Sequence, residues 1–289
     1  MRLLDHLVLP VTTLTLARSR LTTLGFNVAP DARHPFGTGN CCVFFQNRTY
    51  LEPVTIVDRG AADLAAAEGV VFVRRVKRFT ERQGEGFAMV ALKSADAEAD
   101  CADFQRLGLA GGPIQRFARM ASLPDGSQKE VGFASAFADQ PVAPDATFFA
   151  IQHLDADVLY QPAYLEHPNG ALGVSGLAAI AENPADFHIL LSGATGQREL
   201  HATSNGVEAD LGGQRVAILT AAGFRARYGA DAAEPRRGLL FAAIDIRVAD
   251  MERASRFAGS AALRHEGRIV IPPAPGLGAV LAMGAETNG

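Results

Sequence analysis

Cysteine is scarce in this chain of 289 residues, and its arrangement excludes a disulfide-stabilised protein. The three cysteines, Cys41, Cys42 and Cys101, form no CxxC pair, and two of them are adjacent. An odd number with this spacing cannot build a disulfide framework, so we expect a protein of the reducing cytoplasm. The N-terminal segment MRLLDHLVLPV also lacks the small-residue cleavage site that follows the apolar region of a signal peptide.

Neither a basic excess nor a long apolar run is present. The chain has 27 basic and 31 acidic residues and a net charge of −4, without a basic stripe, which argues against a nucleic-acid-binding protein. No apolar stretch approaches the roughly 18 to 20 residues that a transmembrane helix needs. The Gly-rich loops match neither GxGxxG nor GxxxxGKS/T, so no nucleotide cofactor is indicated. We expect a small-molecule substrate as the partner, without nucleic acid or a membrane.

The sequence does contain a recurring βαβββ pattern. Residues 3–11 read as a strand, LTLARSRLTTLG has the period of a helix that ends at Gly25, and three apolar segments follow, FNVA, CCVFFQ and TYLEPVTIV. A second unit covers 84–157, and two weaker units follow from residue 171 onward. Between the first two units lies a polar and Ala-rich connector, 58–83, which we interpret as a linker or a solvated helix face.

These units predict an α+β fold of about four βαβββ modules, which form two cup-shaped half-barrel domains. We place the N-terminal domain at 1–160, with modules at 1–57 and 84–157, a connecting segment at 158–170, and a degenerate C-terminal domain at 171–289. Hydrophobic residues make up 48% of the chain and charged residues 20%, as in a folded globular protein. Four modules could close both cups within one chain, so the oligomeric state is open and a homodimer is the alternative.

Three ionisable residues interrupt otherwise apolar strands. His6 lies in the first strand of module one, Glu52 in its last strand, and His153 in the last strand of module two. The first and last strands of such a unit are neighbours in the middle of the sheet, so His6 and Glu52 can converge, and a paired second module can bring His153 to the same place. Two histidines and one carboxylate form a facial triad that leaves metal positions open for substrate and solvent.

The segments LDHLVLPV, HPFGTGNCCVFF and TYLE resemble the vicinal oxygen chelate superfamily, specifically its glyoxalase-like branch. QHLDADVLYQPAYLEHPNGALG resembles the segment that follows the second module in that branch. The resemblance implies a divalent metal held in the first cup by His6, Glu52 and His153. The first strand of module two departs from the full pattern, because Phe87, Ala88 and Met89 offer no ligand. The C-terminal half resembles an empty cup, since its corresponding strands carry no His or Glu.

Six further side chains are candidates for substrate binding: His34, Thr38, Asn40, Arg116, Arg119 and His167. The first three flank the Gly-rich turn HPFGTGN and are expected at the rim of the cup. Arg116 and Arg119 lie on one strand of module two, and we expect one face of that strand to carry both and bind a substrate carboxylate.

The sequence thus favours a metal-dependent enzyme that acts on a small carbonyl, enolate or catechol-like molecule, as a lyase, isomerase or dioxygenase. The resemblance implies one divalent ion, Fe, Zn, Mn, Ni or Mg, as Lewis acid or as the site of dioxygen binding. Glu52 is then both a ligand and the candidate catalytic base. The alternative is a protein of the same fold that sequesters ligands in its cup without a metal.

Overall fold

The computed structural model describes residues 1–231 and 238–285, and its fold is α+β. Two sheets are each built from two βαβββ modules, as predicted. The four modules and the three segments that connect them supply the eight α-helices of the described residues: α1 (Leu14–Thr23), α2 (Arg59–Ala67), α3 (Val71–Gln83), α4 (Ala97–Arg106), α5 (Pro162–Leu165), α6 (His188–Thr195), α7 (Ala221–Tyr228) and α8 (Met251–Phe257). None of these helices is long and apolar enough to cross a membrane.

The first sheet contains nine strands: β1 (Leu4–Pro10), β2 (Ala32–Arg33), β3 (Thr38–Asn40), β4 (Val43–Phe44), β5 (Tyr50–Ile56), β6 (Met89–Lys93), β7 (Gln115–Ser122), β8 (Gln128–Ala138) and β9 (Thr147–His153). Their order is β2-β3-β5-β1-β6-β9-β8-β7, and β4 pairs with β5. Within each module the first and last strands are parallel neighbours, and β1 pairs antiparallel with β6 between the modules. This arrangement places the first and last strands at the centre, as expected.

The second sheet repeats this topology with eight strands: β10 (Ala171–Ala181), β11 (Leu200–Thr203), β12 (Gly206–Asp210), β13 (Arg215–Leu219), β14 (Leu239–Val248), β15 (Leu263–His265), β16 (Arg268–Ile271) and β17 (Val280–Gly284). Their order is β11-β12-β13-β10-β14-β17-β16-β15. The first and last strands of each module are again parallel, and β10 and β14 are antiparallel at the centre.

Side-chain caps fix the start of the helix in three of the modules. Thr13, Asp96 and Asp250 precede α1, α4 and α8, and each side chain accepts a backbone N–H of the first turn. Such a cap satisfies one of the helix donors that has no partner inside the helix. One predicted strand is wrong, since FNVA at 26–29 is irregular and the extended backbone begins at Ala32. Pro30 and Asp31 separate this segment from the sheet.

In each half, the connector between its two modules packs against the sheet. Residues 58–83 form α2 and α3, and the solvated face we expected is only one side of α3, because Phe72, Val76 and Phe79 are buried. In the second half, α7 contributes Phe224 and Tyr228, which are fully buried. Tyr228 donates to Asp245 of β14 over 3.1 Å, and α7 packs on β10, so aromatic side chains occupy the second cup.

Candidate functional site

His6 and Glu52 meet inside the first cup because of the register between β1 and β5. His6 is opposite Tyr50 and Glu52 is opposite Val8, so both side chains lie on one face, two residues apart along the strands. The Nε2 atom of His6 is 3.4 Å from Oε2 of Glu52. The imidazole stacks on the Tyr50 ring with 4.2 Å between centroids. His6 and Glu52 are 2% and 4% exposed, so this is a buried ionisable pair.

Asp5 is a site residue that sequence reasoning missed. Consecutive strand residues normally point to opposite faces, but the pairing of β1 with β6 shifts register between Leu4 and His6. At this irregularity, Oδ1 of Asp5 lies 2.7 Å from Nδ1 of His6 and 2.9 Å from Nε2 of His153. The sequence did carry one signal for Asp5, because an aspartate directly before a histidine is unusual in an apolar strand. The shift in register that brings Asp5 to His6 depends on the partner strand, so the sequence of β1 alone does not reveal it.

His153 reaches His6 only through Asp5. It lies at the end of β9 opposite Phe133 of β8, and its described polar contact is with Asp5, at the Nδ1 edge of His6. Glu52 lies at the Nε2 edge of the same ring. The expected convergence of His6, Glu52 and His153 is therefore resolved into two contacts, His6 with Glu52 and His153 with Asp5, which the contact between Asp5 and His6 joins.

His34, Thr38 and Asn40 surround Glu52 and are buried, although we expected them at the rim. Asn40 donates from Nδ2 to Oε1 of Glu52 over 2.6 Å. Nε2 of His34 is 3.6 Å from the same oxygen, and its Nδ1 is 2.8 Å from Oγ1 of Thr38. Asn40 is opposite Val54 in the pairing of β3 with β5, and this register brings the Gly-rich turn onto the face of Glu52.

The expectation that one strand face carries Arg116 and Arg119 is wrong. Positions three apart in a regular strand point to opposite faces. Arg119 lines the cup, with its guanidinium 5.6 Å from the Phe133 ring centroid, whereas Arg116 is exposed and paired with Glu98 at 2.6 Å.

The structure also places His167 away from the cup. Its Nδ1 accepts the backbone N–H of Asn27 at 3.0 Å, and its Nε2 donates to the carbonyl of Phe44 at 3.0 Å. The ring packs edge-on against Phe26 and Phe45. Both nitrogens are thus used to hold the segment after module two against module one.

The electrostatics of the cup follow from burying two carboxylates beside one imidazole. Burial alone would lower the pKa of His6, but its hydrogen bonds with Asp5 and Glu52 raise that pKa to about 8. Burial would raise the pKa of Glu52, and the contact with His6 instead lowers it. For His34, burial dominates, with Arg119 adding repulsion, and the pKa falls to about 4. Glu52 is therefore anionic and His34 neutral near pH 7.

Aromatic side chains close the cup. The space beside His6 and Glu52 is about 20 Å³, room for one water, and Phe117, Phe133 and Phe149 contribute to its lining. A larger cavity of about 280 Å³ lies outside, between the start of α3 and strands β7 and β8, and it shares Phe72, Phe117 and Ser135 with the inner space. Phe72 and Phe117 therefore lie between this cavity and the space beside Glu52.

The glyoxalase-like domain family matches residues 4–195 of the chain, which is more than half of its length. The chain belongs to this glyoxalase-like family. Its membership and its repeated modules place it in the vicinal oxygen chelate fold, as the sequence predicted. A search of curated proteins finds no match.

Solved structures resemble the glyoxalase-like chain over nearly all its length. A hypothetical protein from Staphylococcus aureus aligns with a TM-score of 0.69 and 13% identity, covering 99% of this chain and 100% of that one. A variant of 4-hydroxymandelate synthase from Streptomyces coelicolor gives 0.55 and 12%, covering 100% and 94%. The Mn(II)-bound glyoxalase from Novosphingobium aromaticivorans gives 0.54 and 10%, covering 99% and 83%. At such identities the likeness concerns the fold alone.

The donor set of the glyoxalase-like cup fits a divalent cation. Asp5, His6 and His153 each offer a ligand atom, and these atoms lie within 4.8 Å of one another. On the other edge of His6, its Nε2 is 3.4 Å from Glu52, a separation typical of two ligands that share one ion. The two buried carboxylates, Asp5 and Glu52, also supply negative charge that can compensate a bound cation.

Proposed function

We propose that this protein is a divalent-metal-dependent enzyme that acts on a small carbonyl, enolate or catechol-like molecule, as a lyase, isomerase or dioxygenase. The observation that carries this proposal is the buried contact between His6 and Glu52 in the centre of the first cup. A bound ion, whether Fe, Zn, Mn, Ni or Mg, would supply Lewis-acid polarisation of a substrate oxygen or a site for dioxygen.

We propose that His6 and Glu52 hold the ion. His34 is the third candidate ligand on the cup side, since its Nε2 lies 3.6 Å from Glu52 and its ring is neutral near pH 7. His153 was predicted as the third ligand, and its contact with Asp5 favours a different role, in which it holds the carboxylate that orients His6. If His153 and Asp5 are ligands themselves, the ion lies at the other edge of His6.

The remaining groups of the cup bind and orient a substrate. Glu52 is ionised near pH 7, and with Oε2 beside His6 as the ligand oxygen, its Oε1 can accept a proton, while Asn40 fixes this oxygen by donating to it. Arg119 is the cation available for a substrate carboxylate inside the cup. The rings of Phe72 and Phe117 exclude water once a substrate has entered.

Elemental analysis of the purified protein, followed by calorimetric titration with Mn(II) and Zn(II), tests this proposal. We expect one ion per chain and a loss of affinity greater than about 100-fold for Glu52→Gln, which exceeds the effect of groups that only orient a ligand. Glu199→Gln is the matched control, since it makes the same chemical change at an exposed position.

Two pairs of variants locate the ion. His34→Gln and Glu52→Gln lose affinity most if the ion is on the cup side, whereas Asp5→Asn and His153→Gln lose it most if the ion is at the other edge. Stoichiometric binding in Glu52→Gln with the affinity of the parent would contradict the role of Glu52.

One observation favours a metal-free binding protein as the second candidate. The second module contributes Phe133, Phe149 and Ile151 to the cup beside His6, and these apolar side chains suit a sequestered ligand better than an ion. In that case elemental analysis finds no ion, and the parent and Glu52→Gln proteins bind Mn(II) equally weakly.

A further inference from the structure

The outer side of α3 borders a second, larger depression that the proposed cup does not use. Its volume is about 620 Å³, within the range of ordinary small-molecule sites, and it lies between α3, the end of α2 and the loops around Gly111 and Asp139. We call it the α3 cleft. It is separate from the cup, because the aromatic side chains of α3 face the cup and its basic side chains face the cleft.

Positive charge dominates the lining of the α3 cleft. Its four cations are Arg74, Arg75, Lys77 and Arg78, and its two carboxylates are Glu81 and Asp139. The chain as a whole carries a net charge of −4, so this local excess runs against the composition of the protein. Electrostatic attraction in a concave site raises the local concentration of anions.

Two of these four cations have no carboxylate partner among the described residues. Arg75 is paired with Asp139 and Lys77 with Asp63. Arg74 and Arg78, one helical turn apart, take part in no ion pair within the described chain. Burial, followed by repulsion from the neighbouring Arg75 and Arg82, lowers the pKa of Arg78 and outweighs the attraction of Asp145 and Asp139. Within the described residues, Arg74 and Arg78 are therefore without a carboxylate at ion-pair distance, although Asp139 and Glu81 lie in the same cleft.

We propose that the α3 cleft binds a small molecule that carries a phosphate or diphosphate group, held by Arg74 and Arg78. A guanidinium presents two parallel donors that match two phosphate oxygens, and arginines four residues apart on one helix face can share a phosphate or span a diphosphate. The volume of the cleft leaves room for an organic part of nucleotide size beside such a group.

Calorimetric titration of the full chain with inorganic pyrophosphate and with adenosine diphosphate, at low ionic strength and without metal, tests the proposal. We expect one pyrophosphate per chain. Arg78→Gln and Arg74→Gln should each weaken binding by about tenfold or more, as expected for a lost charge-assisted hydrogen bond, and the double variant should not bind. Arg78→Lys should recover only part of the affinity, because lysine keeps the positive charge but lacks the two parallel N–H donors of the guanidinium.

The matched control is the double variant Arg59→Gln/Arg198→Gln, which removes two exposed arginines outside the cleft and should bind pyrophosphate like the parent. Circular dichroism checks that each variant is folded. The proposal is overturned if the parent binds neither probe, if the Arg74 and Arg78 double variant binds like the parent, or if the control loses as much affinity. Tighter binding of citrate than of pyrophosphate would show that the cleft prefers carboxylates, and it would overturn the proposal of a phosphate ligand.

Discussion

At the scale of single residues, the cup is a continuous hydrogen-bonded series rather than a set of independent ligands. Asp5 joins His153 to His6, His6 contacts Glu52, and Asn40 donates to Glu52. A buried polar series is stable only when its members satisfy one another, so each substitution affects its neighbours as well. The effect of a variant therefore depends on the position of the residue in the series.

Asp5→Asn tests the position of Asp5. The substitution keeps the size of the side chain but removes the negative charge that orients His6 and increases its basicity. We expect divalent-metal affinity to fall by about 10- to 100-fold, which is less than the loss for Glu52→Gln, because Asp5 acts on a ligand. The measurement is calorimetric titration of both variants. A loss for Asp5→Asn that exceeds the loss for Glu52→Gln would assign the ion to the Asp5 edge of His6.

His167 predicts a dependence of stability on pH that is unrelated to the cup. Burial lowers its pKa to about 4 from 6.5, so the folded state holds the ring neutral while the unfolded state binds a proton below pH 6.5. This contribution to stability is complete above pH 6.5 and is lost progressively as the pH falls toward 4. The loss amounts to about 2 kcal/mol between pH 7 and pH 5.

The measurement is urea unfolding of the parent and of His167→Phe at both pH values. The parent should be more stable at pH 7, since its ring makes two hydrogen bonds to the backbone, and this advantage should shrink by about 2 kcal/mol at pH 5. Taking the difference between the two proteins removes the contribution of His34, whose pKa is also low. An advantage that is constant with pH would show that His167 has the same pKa in the folded and unfolded states.

At the scale of elements, α3 serves two surfaces at once. Its apolar side brings Phe72 over the inner cup, where the ring packs edge-on against His34 at 5.7 Å, and its basic side lines the α3 cleft. We interpreted 58–83 as a linker or a solvated helix face, although Phe72, Val76 and Phe79 have the spacing of one apolar helix face. This spacing predicts a packed side but does not show which surface it covers.

Phe72→Ala is predicted to open the cup. Removing a buried phenylalanine costs about 3 kcal/mol of stability, and here it also joins the outer cavity to the space beside Glu52. We expect faster association of Mn(II), measured by stopped-flow with a metal-sensitive dye. Phe224→Ala in α7 is the matched control, because it removes the corresponding ring from the second cup and should leave the association rate unchanged. Equal rates in Phe72→Ala and the parent would mean that another path leads to Glu52.

At the scale of the whole molecule, the repeats in the sequence predicted the sheet topology. They did not predict most of the side-chain contacts of the site. The recurring βαβββ pattern predicted neighbouring first and last strands, and hence the approach of His6 to Glu52. It did not predict the irregularity that turns Asp5 toward His6, since this depends on the partner strand β6. Nor did it predict the burial of Asn40 beside Glu52, because turn residues carry the same signal whether they are exposed or folded inward.

The two sheets are also predicted to unfold together. Phe87 and Phe241 form an isolated bridge between the halves and stack with 4.8 Å between centroids, and one buried cluster contains both Leu7 of the first sheet and Ile244 of the second. Phe241→Ala removes a 2% exposed ring from this boundary, so a loss of about 3 to 5 kcal/mol is expected. Hydrogen exchange followed by mass spectrometry should show protection lost in β1 as well as in β14, because the cavity lies in the shared core. Loss confined to β14 and its neighbours would instead mean that the first sheet, with its cup, is stable without support from the second.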